Sequence, residues 1–195
     1  MPSLILASKS PRRKELLGQA GYRFRARPSR VSERLNGLLR PEEAVEALAS
    51  QKAEEVYSRH SDGVVLGADT LIAHQHEILG KPGSKEEAEA MLGALSGQTH
   101  EVFTGVALYS RSANHVFHVK TEVTFYPLER WQISSYLSTS EPYDKAGAYG
   151  IQGQGCLFVE SIAGDYYNVM GLPISRLSRE LQAFHIFPFY STNFS

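Results

Sequence analysis

Apolar and polar positions follow two periods along this chain, and the change from one to the other marks its elements. Leu4 to Ala7 is a short continuous apolar run, the pattern of a buried strand, and it leads into the turn Ser8-Lys9-Ser10-Pro11. Ser10 is a good N-cap and Pro11 suits the first position of a helix, so a strand, a tight turn and a helix follow one another directly. After Gly21, Tyr22 to Arg27 alternates Tyr22, Phe24 and Ala26 with three arginines, which predicts a half-buried strand. A loop from Pro28 to Arg40 precedes a helix opened by Pro41, Glu42 and Glu43 and running to about Arg59. Its apolar stripe is Val45, Leu48, Ala49, Ala53 and Val56, and Lys52 falls in the middle of it.

Val64 to Leu66 reads as a buried strand continuing through Gly67-Ala68-Asp69-Thr70 into Leu71 and Ile72. Beyond the turn Gly80-Lys81-Pro82-Gly83, Ser84 and Glu87 form a capping box for a helix that stops at Gly97. Glu101 to Tyr109 and Val116 to Phe125 alternate over long stretches and predict an antiparallel hairpin. Trp131 to Leu137 is expected to be helical, and the glycine-rich stretch Asp144 to Gly155 is not. Two short strands are expected to meet around Gly164-Asp165, and Pro173 opens a last helix facing inward through Ile174, Leu177, Leu181 and Phe184. The sum is a mixed α/β fold: one domain over residues 1–185 and an aromatic tail over 186–195.

At 195 residues and 42% hydrophobic content the chain can bury a core without staples. Twenty basic against twenty-one acidic residues argue against a general nucleic-acid or membrane-surface binder. One cysteine, Cys156, excludes an internal disulfide framework. With no signal-peptide pattern and no apolar run long enough to span a bilayer, a cytoplasmic protein is the expectation.

Against that neutral background three positions stand out. Arg12, Arg13 and Lys14 occupy the first turn of the first helix, where the free N–H groups and the dipole favour acids, and the first acid arrives only at Glu15. A bound phosphate would compensate them, with Ser8 and Ser10 nearby; a solvated basic turn is the bland reading. Lys52 on an apolar stripe either snorkels or reaches into a polar cleft. Asp69, a lone acid in a core-like strand, either caps a turn or serves an active site. The glycine-rich stretch has neither the dinucleotide fingerprint nor the Walker spacing. Two isolated acids, Glu33 and Asp69, would suit Mg²⁺ or Mn²⁺ beside a polyphosphate held by the cations, and the combination points to nucleotide hydrolysis without a P-loop. His74 and His76 share a strand face but lack a third ligand.

Leu4-Ile5-Leu6-Ala7-Ser8-Lys9-Ser10-Pro11-Arg12-Arg13-Lys14-Glu15-Leu16-Leu17, followed in order by Gly67-Ala68-Asp69-Thr70, Gly80-Lys81-Pro82, Leu95-Ser96-Gly97 and Thr104-Gly105-Val106, resembles the Maf family of nucleoside triphosphate pyrophosphatases over nearly the whole chain. Glu141 to Gly153 resembles its dTTP- and UTP-hydrolysing branch. The resemblance implies an inosine triphosphatase-like fold, an elongated mixed sheet in two lobes flanked by helices with a nucleotide cleft between them, a divalent metal, and often a homodimer. It implies Asp69 as proton acceptor, with Lys52 and Lys81 in catalysis. Ser8 and Arg13, with the adjacent Lys14, would bind phosphate, Glu33 and Asp69 would hold metal, and Arg12, Thr70 and Gln152 would set specificity. Where many members carry two successive acids, this chain has Ser32-Glu33. The alternative is a non-catalytic nucleotide-binding regulator of cell division, as the family's association with septum formation suggests.

Overall fold

The computed structural model describes residues 3–32, 39–75 and 77–189. The sheet is built from β1 (Ser3–Leu6), β2 (Phe24–Ala26), β3 (Gly63–His74), β4 (Glu77–Leu79), β5 (Thr99–Tyr109), β6 (Asn114–Phe125) and β7 (Val159–Ala163). Its order is β2-β1-β3-β5-β6-β7, with β4 beside β3. β1 runs parallel to both β2 and β3; all other pairs are antiparallel. The helices are α1 (Pro11–Gln19), α2 (Pro41–Tyr57), α3 (Lys85–Leu95), α4 (Arg130–Tyr136), a short α5 (Tyr166–Val169) and α6 (Ile174–Ala183). The expected mixed α/β fold is thus present, and among the described residues no helix is long and apolar enough to cross a membrane.

Alternation along β3 sorts its side chains between two faces. Val65 joins Ile5, Ala49, Ala53, Val56 and Ala107 in a layer under α2. Val64, Leu66, Ala68 and Ile72 join the larger core on the other face, with Leu16 and Leu17 of α1, Leu92 and Leu95 of α3 and Leu177 and Leu181 of α6. α2 can lie close because β3 and β5 present Gly67 and Gly105 to it. A Cβ on Gly67 would sit 2.2 Å from the Ala49 carbonyl oxygen, and one on Gly105 would sit 2.3 Å from the Val45 carbonyl. The helix backbone therefore rests directly on the sheet.

Two local expectations are corrected. Gly164-Asp165 joins a strand to a helix, not two strands: Asp165 accepts the Tyr167 N–H at 2.8 Å and so caps α5. In the Ser84 cap, Ser84 accepts the Glu87 N–H at 3.2 Å as expected, but the Glu87 carboxylate takes the N–H of Gly83 at 2.7 Å instead of closing the box on Ser84. The glycine-rich stretch forms short 3₁₀ turns, and residues 186–189 lie beside the start of β2, with Phe189 N–H donating to the Gly21 carbonyl at 2.8 Å.

Candidate active site

The registers of β1 and β4 leave a gap along one edge of β3. β1 pairs with β3 only as far as Leu66, and β4 pairs with the same edge only from Ile72. Between these limits Gly67 to Leu71 has a partner on the β5 side alone, and a cavity of about 720 Å³ opens there. Because the opening cuts the sheet edge, residues from both faces of β3 reach it. Asp69 enters from the α2 face and Thr70 from the opposite one. The rest of the wall comes from the β1–α1 turn (Ser8, Arg12, Arg13), the segment after β4 (Lys81) and the glycine-rich stretch (Lys145, Tyr149, Ile151).

Lys52 does not snorkel. It is buried, and its Nζ lies 2.5 Å from Asp69 Oδ1. The stripe position seen in sequence is where α2 crosses over β3, so the lysine points at the one acid of that strand. Each charge offsets the other's desolvation, which burial would otherwise make very costly. Asp69 is not a turn cap: it sits in the middle of a continuous twelve-residue strand.

Arg13 is held from three directions. Its Nε donates to the Gly171 carbonyl at 2.7 Å, Nη1 to Ser8 Oγ at 3.3 Å and Nη2 to Thr70 Oγ1 at 3.0 Å. The N-cap forms as expected, Ser10 Oγ accepting the Arg13 N–H at 3.4 Å, and Ser8 Oγ accepts the Ser10 N–H at 3.1 Å. The basic turn is therefore a built wall of the cavity with a preset guanidinium, which lowers the ordering cost of binding an anion.

Ser8, Arg12, Arg13, Lys52, Asp69, Thr70 and Lys81 are brought together around the cavity. Lys14 is exposed and not part of its lining. Gln152 is exposed as well, next in sequence to the lining residue Ile151. Glu33 and His76 lie outside the described residues, and among the described residues no three acids, histidines or cysteines cluster as a metal site.

Sequence reading passed over the residues that hold the far wall. Glu141 accepts Tyr136 O–H at 2.9 Å and the N–H groups of Gln154 and Gly155 at 3.0 and 3.3 Å. The glycine-rich stretch is wrapped around this carboxylate, so tightly that a Cβ on Gly153 would lie 2.2 Å from it. The carbonyl of Glu141 also accepts Lys145 Nζ at 2.9 Å, and Lys145 reaches Asp144 at 2.6 Å. Burial works to raise the Asp144 carboxyl, but Lys145 and then Arg12 outweigh it and hold it below its usual range. Burial, and less strongly the Glu141 carboxylate, push the Tyr136 phenol up, so it stays a donor. The signal was the pairing of an acid with glycines ten or so residues later, which no local period reveals.

His100 on β5 is 1% exposed and hydrogen-bonds Tyr149 Oη through Nε2 at 2.8 Å. Burial, helped by the charge on His74, pushes its pKa down to about 3. The unfolded chain therefore binds a proton below about pH 6.5 that the folded chain refuses, and the stability present above pH 6.5 is lost as pH falls towards 3. The expected cost is roughly 2 kcal/mol between pH 8 and pH 5. Urea titrations at both pH values should show a smaller loss in His100→Gln than in the parent; equal losses would show that His100 titrates normally.

The family model described as Maf-like protein matches residues 3–184. A protein named dTTP/UTP pyrophosphatase from Bacillus anthracis is 52% identical over 186 residues, covering 95% of this chain and 97% of its own length. One of the same name from Bacillus cereus (strain ATCC 10987 / NRS 248) is 52% identical, covering 95% and 92%. Among solved structures, a HAM1 protein from Coxiella burnetii aligns over 94% of this chain and 100% of its own with a TM-score of 0.48 and 16% identity.

Proposed function

Because the chain belongs to the Maf-like protein family, we propose that it is a nucleoside triphosphate pyrophosphatase acting on dTTP and UTP. Water attacks the α-phosphorus, the bond from that phosphorus to the α,β-bridging oxygen breaks, and the products are the nucleoside monophosphate and pyrophosphate. One observation carries the reading: Arg13, Lys52 and Lys81 converge with the buried Asp69 on a single cavity at the gap in the β3 edge. Cations that outnumber the two lining carboxylates, Asp69 and Asp144, suit a substrate that is polyanionic and a reaction in which a proton must leave water.

In this reading Arg13 and Ser8 bind phosphate oxygens, with Lys14 as a more distant positive charge. Lys81 stabilises the departing pyrophosphate, and Asp69 accepts the proton of the attacking water. Lys52 keeps the Asp69 carboxylate oriented. Arg12, Thr70 and Gln152 are assigned to the nucleoside. Asp69 Oδ1 faces Lys52 while, among the described residues, Oδ2 has no hydrogen-bond partner. That is the hard oxygen donor Mg²⁺ or Mn²⁺ takes, commonly one or two carboxylates with the remaining positions filled by phosphates and water. Asp69, joined by Glu33, would hold it, and it would lower the pKa of water and neutralise phosphate charge. A homodimer in the cytoplasm belongs to the same proposal.

Incubating the protein with Mg²⁺ and UTP, dTTP, CTP, ATP or GTP tests it. UTP and dTTP should yield monophosphate and pyrophosphate in equal amounts. Release of orthophosphate would overturn the position of attack, and UTP bound without cleavage would favour a nucleotide-binding regulator.

A further inference from the structure

Thr70 and Thr104 face one another across β3 and β5, with their hydroxyl oxygens 2.9 Å apart. Distance alone leaves open which one donates, but the neighbours decide it. Thr104 Oγ1 also lies 2.9 Å from the backbone carbonyl of Asn168, which can only accept. A threonine hydroxyl has one hydrogen and two acceptor positions. The single hydrogen of Thr104 is therefore spent on Asn168, and Thr70 must donate to Thr104. On its other side Thr70 Oγ1 accepts from Arg13 Nη2. The bonds run in one direction, from Arg13 to Thr70 to Thr104 to Asn168.

Thr104 is fully buried, and a hydroxyl there needs a reason, since it occupies a core-facing row between Val102 and Val106. Thr70 is only half-buried and lines the cavity. Its hydrogen points inward and one acceptor position is taken by Arg13, so it can offer the cavity one lone pair and no donor. We infer that Thr104 is a positioning residue for substrate selection, which fixes Thr70 as an acceptor-only group and so favours a nucleoside presenting a hydrogen-bond donor.

This rests on the pyrimidine nucleotide reading above, and it commits to the imide N3–H of uracil and thymine as the donor. Cytosine presents a bare ring nitrogen at that position, and two lone pairs would face each other. An anionic phosphate oxygen is excluded for the same reason. Replacing Thr104 by valine keeps the shape and removes both its hydrogen bonds. The Asn168 carbonyl still accepts the Gly171 N–H at 2.9 Å, so no backbone group is stranded. Thr70 becomes free to rotate its hydrogen into the cavity and to serve cytosine.

The test is kcat/KM for UTP, dUTP and CTP in the parent, Thr104→Val and Thr104→Ser. The preference for UTP over CTP should fall at least about fivefold in Thr104→Val, chiefly through improved use of CTP, and return in Thr104→Ser, as expected for a hydrogen bond of ordinary strength. A ratio unchanged within about twofold in Thr104→Val overturns the inference. A change in the UTP to dUTP ratio with the UTP to CTP ratio intact would assign the donor to the sugar hydroxyl and overturn the choice of the imide. If Thr104→Val does not fold, Thr70→Val should lower the same ratio by losing UTP, and an unchanged ratio there overturns it equally. Calorimetric binding of UMP and CMP to the parent separates this inference from the hydrolytic reading: a protein that cleaves no nucleotide should still prefer UMP, and equal affinities would sink the acceptor-only Thr70.

Discussion

Replacing Asp69 by asparagine is expected to cut turnover on UTP by at least about a hundredfold while folded protein is still recovered. The substitution keeps the side chain's shape and one oxygen facing Lys52, so the crossing of α2 over β3 survives. It removes the negative charge that would accept the proton from water and the oxygen that would hold a divalent cation. Some stability should go with it, about 1–3 kcal/mol, because a buried ammonium then faces a neutral acceptor in place of a carboxylate. Steady-state kinetics in saturating Mg²⁺, with circular dichroism to confirm the fold, is the measurement. A kcat within a few-fold of the parent would remove Asp69 from the chemistry and leave the Lys52–Asp69 pair as a purely structural link.

The second large effect is expected from a residue with no charge or side chain of its own. Gly67→Val should destabilise the protein by more than about 3 kcal/mol, because its Cβ would fall 2.2 Å from the Ala49 carbonyl oxygen and 2.8 Å from the Ala53 N. Both are backbone atoms of α2, and neither can swing aside as a side chain would. The helix must lift, and in lifting it carries Lys52 away from Asp69, so activity should fall further than stability explains. Gly93→Ala is the control: it lies in α3 with open space where the Cβ would go, and alanine there should be neutral or gain up to about 1 kcal/mol. Urea midpoints at constant slope separate the two. A Gly67→Val protein with the parent's midpoint would show that α2 is free to move on the sheet.

Much of the candidate site could be read locally. Ser10, Pro11 and the three cations behind them form a strand–turn–helix unit whose meaning depends only on neighbours in sequence, and the N-cap appears where the spacing requires it. Lys52 and Asp69 each violated the apolar pattern of their own element, and both violations pointed to the cavity. Gly164-Asp165 was misread because an aspartate cap and a strand turn carry the same composition, and only the hydrogen bond to Tyr167 tells them apart. Thr104 entered only as part of a family-like motif without a role, and His100 was passed over, because one polar residue in an alternating strand looks like tolerance rather than purpose.

By itself the sequence determined the long helices and strands, though not β4 or α5, and with them which faces they bury, where the basic turn lies and which two residues break their own stripes, since capping, periodicity and burial act over a few residues at a time. Tertiary structure alone decided what those residues meet. Arg13 finds the Gly171 carbonyl, Lys52 finds Asp69, and Thr70 reaches Asn168 through Thr104, each across a separation set by strand register and by the seating of α2 on glycine. The opening itself is a tertiary product: two strands share one edge of β3 and end short of each other, and the unpaired stretch between them is where Asp69 and Thr70 come to face the same space.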